Sequence, residues 1–177
     1  VARESKLTLT TKVERELVQS DAVITLEDLG TENVSAKEKI IARLYGRRDD
    51  RLLVGMDPGK RIGLVAYFGN HELYADVLVS VSSTVGKVAR IIRGSCCSKK
   101  IVRIGYGSPI IGGELVRGLL ERVSDIDIEI VDESGTSSLT KSKLWRKGTR
   151  DQKSARIIAF RIGKKYLLLL EYIEARK

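Results

Sequence analysis

Acidic residues stand at three places in the chain where their surroundings give them more than a solubilising role: Asp57, the adjacent Asp132-Glu133, and Asp151. Asp57 closes the apolar run Leu52-Leu53-Val54-Gly55-Met56 and is followed at once by Pro58-Gly59-Lys60-Arg61. Asp132 and Glu133 end a second strand-like segment, from Ile126 to Val131. Asp151 heads a helical stripe, with Ala155, Ile158, Ala159 and Ile162 at +4, +7, +8 and +11. Singly, each has an ordinary use: Asp57 suits the start of a turn, and an acid in a helix first turn is favoured by the dipole. Together they have another. Like charges at close range repel unless a cation shares them, and oxygen-only ligands select magnesium or manganese over zinc. Two such ions activate a water and stabilise a leaving oxygen in phosphodiester hydrolysis.

That chemistry requires elements that bring the acids to one place. The run Leu52 to Met56 reads as a buried strand, and Pro58-Gly59 ends it. Ile62 to Phe68 is again strand-like, and so short a connection predicts an antiparallel hairpin. Glu72 to Val81 predicts a third strand, with Leu73, Ala75, Val77, Val79 and Val81 on one face. A helix follows from Ser82 to Arg93, then a strand at Ile101–Ile104, a helix from Gly112 to Val123 and a fifth strand from Ile126 to Val131. A long closing helix is expected from Asp151 to Ala175, with Thr149 and Gln152 at capping-box spacing. This order predicts an α/β fold: a five-stranded mixed sheet, with a three-strand antiparallel meander, then β-α-β crossovers, and helices on its faces. The carboxyl ends of its parallel strands share one edge, where ligands bind.

Residues 1–50 read as a mainly helical N-terminal extension, and 51–177 as the main domain. Helices are expected over Thr11–Gln19 and, from the capping-box spacing of Ser35 and Glu38, over Ser35–Tyr45; Ala22 to Leu26 suits a strand or an extended connector. The extension holds 9 Lys/Arg against 10 Asp/Glu, whereas residues 51–177 hold 23 against 13, so the whole basic excess lies in the main domain. Such a domain suits a polyanion, nucleic acid before a membrane surface. Cys96 and Cys97 are adjacent, which argues against both a disulfide framework and a zinc site. No run reaches the ~18 apolar residues of a membrane span, and the expected location is cytoplasmic.

The pattern VGMDPGKRIGLV, IGYGSP, VDESGTS and DQKSARIIAF resembles the RNase H-like superfamily, specifically its RuvC/YqgF-type Holliday-junction resolvase branch. The resemblance covers about residues 51–170. It implies an RNase H-like nuclease domain whose metal-binding catalytic carboxylates are Asp57, Glu133 and Asp151, holding Mg²⁺ or Mn²⁺. It places Thr136 and Ser137 beside the active site, near bound substrate. The chain departs from the branch in a loop after Asp57 about one residue shorter, in Tyr106 where RuvC-type members keep an acid, and in Ser154 where a second helix acid might fall. It stands closer to the YqgF type. The choice of Glu133 over Asp132 rests on the resemblance, since strand alternation allows either.

A basic segment supports the polyanion reading independently. From Lys141 to Arg156 stand seven cations, Lys141, Lys143, Arg146, Lys147, Arg150, Lys153 and Arg156, against Asp151 alone, with Trp145 among them. Basic side chains bind phosphates, and an exposed Trp stacks on an unpaired base; Trp145 equally suits an anchor into the core. Lys60 and Arg61 suit either a phosphate or the nearby carboxylates. The function expected is a metal-dependent nuclease on a DNA junction or structured RNA, with a homodimer as an open option. A nucleic-acid-binding protein that keeps the fold without cleaving, for instance in RNA processing, is the alternative.

Overall fold

The computed structural model describes residues 7–20, 22–47, 49–132 and 148–166. Thr8–Thr10 (β1) and Val23–Thr25 (β2) form a small parallel pair. Between them the helix expected over Thr11–Gln19 does not form; only a short 3-10 turn occurs, at Arg15–Leu17. Val13 and Leu17 are exposed, so no apolar face is buried to hold a helix there. Leu26–Leu29 (α1) follows, then Asn33–Tyr45 (α2). The capping box expected at Ser35 is absent: α2 begins at Asn33, and its N-cap residue, Glu32, makes no side-chain cap. Glu38 is used elsewhere. It is buried, and its carboxylate accepts the Cys96 amide at 3.0 Å, which ties α2 to the main domain.

The main sheet is built from Arg51–Asp57 (β3), Ile62–Phe68 (β4) and His71–Leu78 (β5), then Lys99–Gly105 (β6) and Asp127–Val131 (β7). β3, β4 and β5 form the expected antiparallel meander, while β6 and β7 run parallel to β3. Two crossover helices, Val81–Gly94 (α3) and Pro109–Leu120 (α4), make the parallel connections. α4 starts earlier than its apolar pattern predicts because Pro109, which lacks an N–H, fits a first helical turn. The β4–β5 register shifts beside Ala66 and Tyr67, leaving Leu73 between the paired residues Glu72 and Tyr74. The Leu73 carbonyl accepts from Lys37 Nζ of α2 at 3.1 Å.

The closing helix, Arg150–Phe160 (α5), is much shorter than expected. Arg161 is extended, and Gly163 crosses β7 so closely that a Cβ there would lie 2.7 Å from the Ile130 carbonyl. Lys164–Lys165 (β8) then pairs antiparallel with Glu129 and Ile130. Ile162 is therefore 90% exposed and no part of the apolar stripe. Residues 167–175 of the expected helix lie outside the described residues. The result is an α/β structure whose open mixed sheet has six strands, not five, in the order β5-β4-β3-β6-β7-β8.

Strand alternation divides the core. Leu52, Val54 and Met56 of β3, with Ile62, Leu64, Ala66 and Phe68 of β4, pack with α3 and α4. Leu53 of β3, with Val65 and Tyr67 of β4, faces Ala155 and Ala159 of α5 instead. Among the described residues no helix is long and apolar enough to cross a membrane.

Candidate functional site

Asp57 ends β3 on the face that carries Leu53, the face covered by α5. Its antiparallel partner on β4 is Gly63. A Cβ on Gly63 would lie 2.1 Å from the Asp151 carbonyl oxygen, so the first turn of α5 rests directly on the β4 backbone. Directly opposed residues of an antiparallel pair lie about 4.5–5.5 Å apart, which brings Asp57 and the start of α5 into one corner. Gly55 repeats the device one turn along: a Cβ there would lie 2.3 Å from the Ala155 carbonyl and 2.6 Å from the Ala159 Cβ. The expected capping box is present, with the Thr149 hydroxyl and the Gln152 side chain each bonded to the other's amide. Two glycines and a cap thus set the position of Asp151.

The Asp151 side chain is 19% exposed, and Arg61 Nη2 lies 2.9 Å from its Oδ2. Oδ2 is nevertheless shut off from solvent and makes no hydrogen bond among the described residues. The Arg61 contact is a charge contact without hydrogen-bond alignment. A buried carboxylate oxygen left in this way, at the corner where β3 ends in Asp57, is a hard oxygen donor of the kind that fits Mg²⁺ or Mn²⁺. Among the described residues no group of three acids, histidines or cysteines converges on a metal position.

The other expected site residues divide by position. Lys60, Arg61 and Arg150 are exposed around the Asp57–Asp151 corner. Glu133, Thr136, Ser137, Lys141, Lys143, Trp145, Arg146 and Lys147 lie outside the described residues. Asp132 follows β7, and its carbonyl accepts from Arg161 Nη1 at 2.8 Å. Tyr106 is exposed after β6, and its amide bonds the Val131 carbonyl at 3.0 Å. The carboxyl ends of β3, β6 and β7 align: Met56 stands opposite Ile104, and Gly105 opposite Val131. Beside the ends of β6 and β7 opens a mostly apolar cleft of about 470 Å³, lined by Tyr106, Pro109, Gly112, Ile130 and Tyr166.

Arg156, counted above among the seven cations of the basic segment, is buried. Its Nε and Nη2 donate to Glu72 at 2.7 and 3.1 Å, and the Tyr67 hydroxyl donates to the same carboxylate at 2.6 Å. The bond to Glu72 holds the guanidinium more firmly charged than usual, while burial and then Glu72 push the Tyr67 hydroxyl well above its ordinary range. Arg103 is likewise buried; its Nε meets Glu129 at 2.8 Å and its Nη1 donates to the Ala159 carbonyl at 2.8 Å. These clamps, with Gly55 and Gly63, are the positioning residues that sequence reasoning missed. A glycine inside a strand does signal close backbone approach; a lone arginine in a strand signals nothing comparable.

The site therefore belongs to an α/β chain with a carboxylate-bearing corner at the carboxyl edge of a mixed sheet. No protein-family model, curated protein or solved structure matches the chain.

Proposed function

We propose that this chain is a Mg²⁺- or Mn²⁺-dependent nuclease of the RNase H-like, RuvC/YqgF type, hydrolysing phosphodiester bonds in structured nucleic acid. Asp57, Glu133 and Asp151 are its metal ligands in this reading. The observation that carries it is the backbone of Asp151 seated on Gly63, the strand partner of Asp57. Nothing in a turn or a helix dipole demands that the backbone of one acid be seated on the strand partner of another from a distant part of the chain. Bound there, the ion would polarise the phosphate and lower the pKa of an attacking water. Asp57 presents its oxygens from a strand end, and the capping box holds Asp151 at a set depth. Lys60 and Arg150, exposed beside them, attract the phosphate backbone.

The test is cleavage of labelled four-way junction, flap, duplex and single-stranded DNA and RNA in Mg²⁺ or Mn²⁺, beside Asp57→Asn. Cleavage lost in the variant, with binding retained, is the expected result. Salt-sensitive binding with no cleavage, indifferent to the variant, overturns it. That outcome would favour the second reading, a nucleic-acid-binding protein on the same fold. Tyr106 supports that second reading, because it follows β6 where the catalytic reading wants a further acid.

A further inference from the structure

The geometry points to Arg61 as a displaceable counter-ion of Asp151, which a divalent cation releases to a nucleic-acid phosphate. The inference rests on the metal-site reading proposed above. It starts from a contrast among the arginine–carboxylate pairs of this one molecule. Arg156 meets Glu72 through two nitrogens, at 2.7 and 3.1 Å. Arg51 meets Asp49 likewise, at 2.6 and 2.7 Å. Arg103 meets Glu129 at 2.8 Å and the Ala159 carbonyl with another nitrogen. All are aligned hydrogen bonds, and those of Arg156 and Arg103 hold separate elements together.

Arg61 is different. Its Nη2 comes within 2.9 Å of Asp151 Oδ2, yet among the described residues Oδ2 accepts no hydrogen bond. The guanidinium neutralises the carboxylate without being locked to it. The two partners also differ in exposure, 61% for the Arg61 side chain against 19% for Asp151. The acid is fixed in the fold, while the base leans in from the Pro58–Arg61 connection and can leave at little cost. A closed-off carboxylate oxygen needs some cation. Arg61 supplies one to the protein alone, and a divalent ion, once bound, competes for the same oxygen and repels the guanidinium. The freed arginine then stands beside the site with its charge available to a phosphate. Cation and nucleic acid thereby favour each other's binding, and the coupling runs in both directions.

The experiment is Mn²⁺ titration by calorimetry on the full chain, for wild type, Arg61→Gln and Asp151→Asn. Affinity for labelled duplex DNA is measured in parallel, in Ca²⁺ and in EDTA. Asp151→Asn should lose Mn²⁺ binding. Arg61→Gln, which removes the competitor, should bind Mn²⁺ about three- to fivefold tighter, the scale of a partly exposed ion pair. Wild type should gain more DNA affinity from Ca²⁺ than Arg61→Gln does. Unchanged or weaker Mn²⁺ binding in Arg61→Gln, with Asp151→Asn still defective, overturns the counter-ion role and leaves the metal site standing. A Ca²⁺-dependent gain in DNA affinity undiminished in Arg61→Gln overturns the release to phosphate. Wild type that binds no Mn²⁺, or binds it as well as Asp151→Asn does, removes the metal site and this inference together. Arg61 is a surface side chain, so its variant is expected to fold, which a circular-dichroism melt checks.

Discussion

The two faces of the main sheet are made of different material. Toward α3 and α4 the contacts are large and aliphatic, with Leu52, Met56, Leu64, Ile104, Leu115 and Leu119 all fully buried. Toward α5 a smaller apolar cluster of Leu53, Val65, Tyr67 and Ile101 meets Ala155 and Ala159, the helix backbone rests on Gly55 and Gly63, and the Arg103–Glu129 and Arg156–Glu72 clamps flank it. Aliphatic packing stabilises in proportion to buried area, and it tolerates volume-conserving exchange. Backbone-to-backbone contact over glycine allows a helix far less latitude. One face of this sheet holds the fold together, and the other sets where Asp151 sits.

The sharpest way to break that contrast is Gly55→Val. Its Cβ would meet the Ala155 carbonyl, a backbone atom that cannot turn aside, so α5 should lose its seat. We expect a loss above about 4 kcal/mol in urea unfolding; a loss below about 1 kcal/mol would mean that α5 is not closely seated. Leu64→Ala, on the other face, should cost about 3 kcal/mol through the cavity it leaves. Mn²⁺ affinity should stay as in wild type for that variant, since the Asp57–Asp151 corner is untouched. If stability and metal affinity fall together, the faces are not separate in function.

The adjacent cysteines sharpen the comparison by labelling. Cys97 packs in the aliphatic core, and burial pushes its thiol up to about 12, whereas Cys96 is exposed. At pH 8 a maleimide should modify one thiol per chain, with the second reacting only on unfolding. The slow rate then reports opening of the aliphatic face alone. Two equal fast phases would show that this face is not closed.

The smallest effect is expected at the other end of β3 from Asp57. Burial raises the pKa of Asp50, but the Ser98 amide and hydroxyl and the Arg47 guanidinium outweigh it, and the net pKa falls below the usual 3.8. A depressed acid contributes stability that is present above the unfolded-state pKa and lost as pH falls through the folded one. Wild type should therefore lose an increment of about 0.5 kcal/mol below pH 4 that Asp50→Asn lacks. Parallel acid melts of the two proteins would measure it, and identical acid limbs would remove Asp50 from the account.

The antiparallel meander and the crossovers were readable because apolar or alternating runs and turn residues mark them directly. The Thr149–Gln152 cap was readable for the same local reason. Other features depended on partners distant in sequence. Ser35 and Glu38 have capping-box spacing, yet Glu38 is drawn inward to the Cys96 amide, a contact 58 residues away. Val13 and Leu17 suggest a helix that no partner surface completes. The apolar stripe from Asp151 seemed to run through Ile162, but Gly163 takes the chain onto β7 instead. Asp57 was expected near the start of the closing helix, and the Asp151 backbone rests on Gly63, the strand partner of Asp57. What the residue pattern did not reveal is how: Gly63 was read as part of a strand, and its missing side chain is what admits the helix.

Leu73 and Lys37 have a consequence outside the site. β5 is the outer strand of the sheet, and an exposed outer strand can template another chain's backbone. Here the strand is irregular at Leu73, and the carbonyl of that residue is already occupied by a lysine from α2. An incoming strand would find both its spacing wrong and an acceptor taken. The contact that fastens α2 to the sheet is thereby also a guard against aggregation, working at the margin farthest from β8.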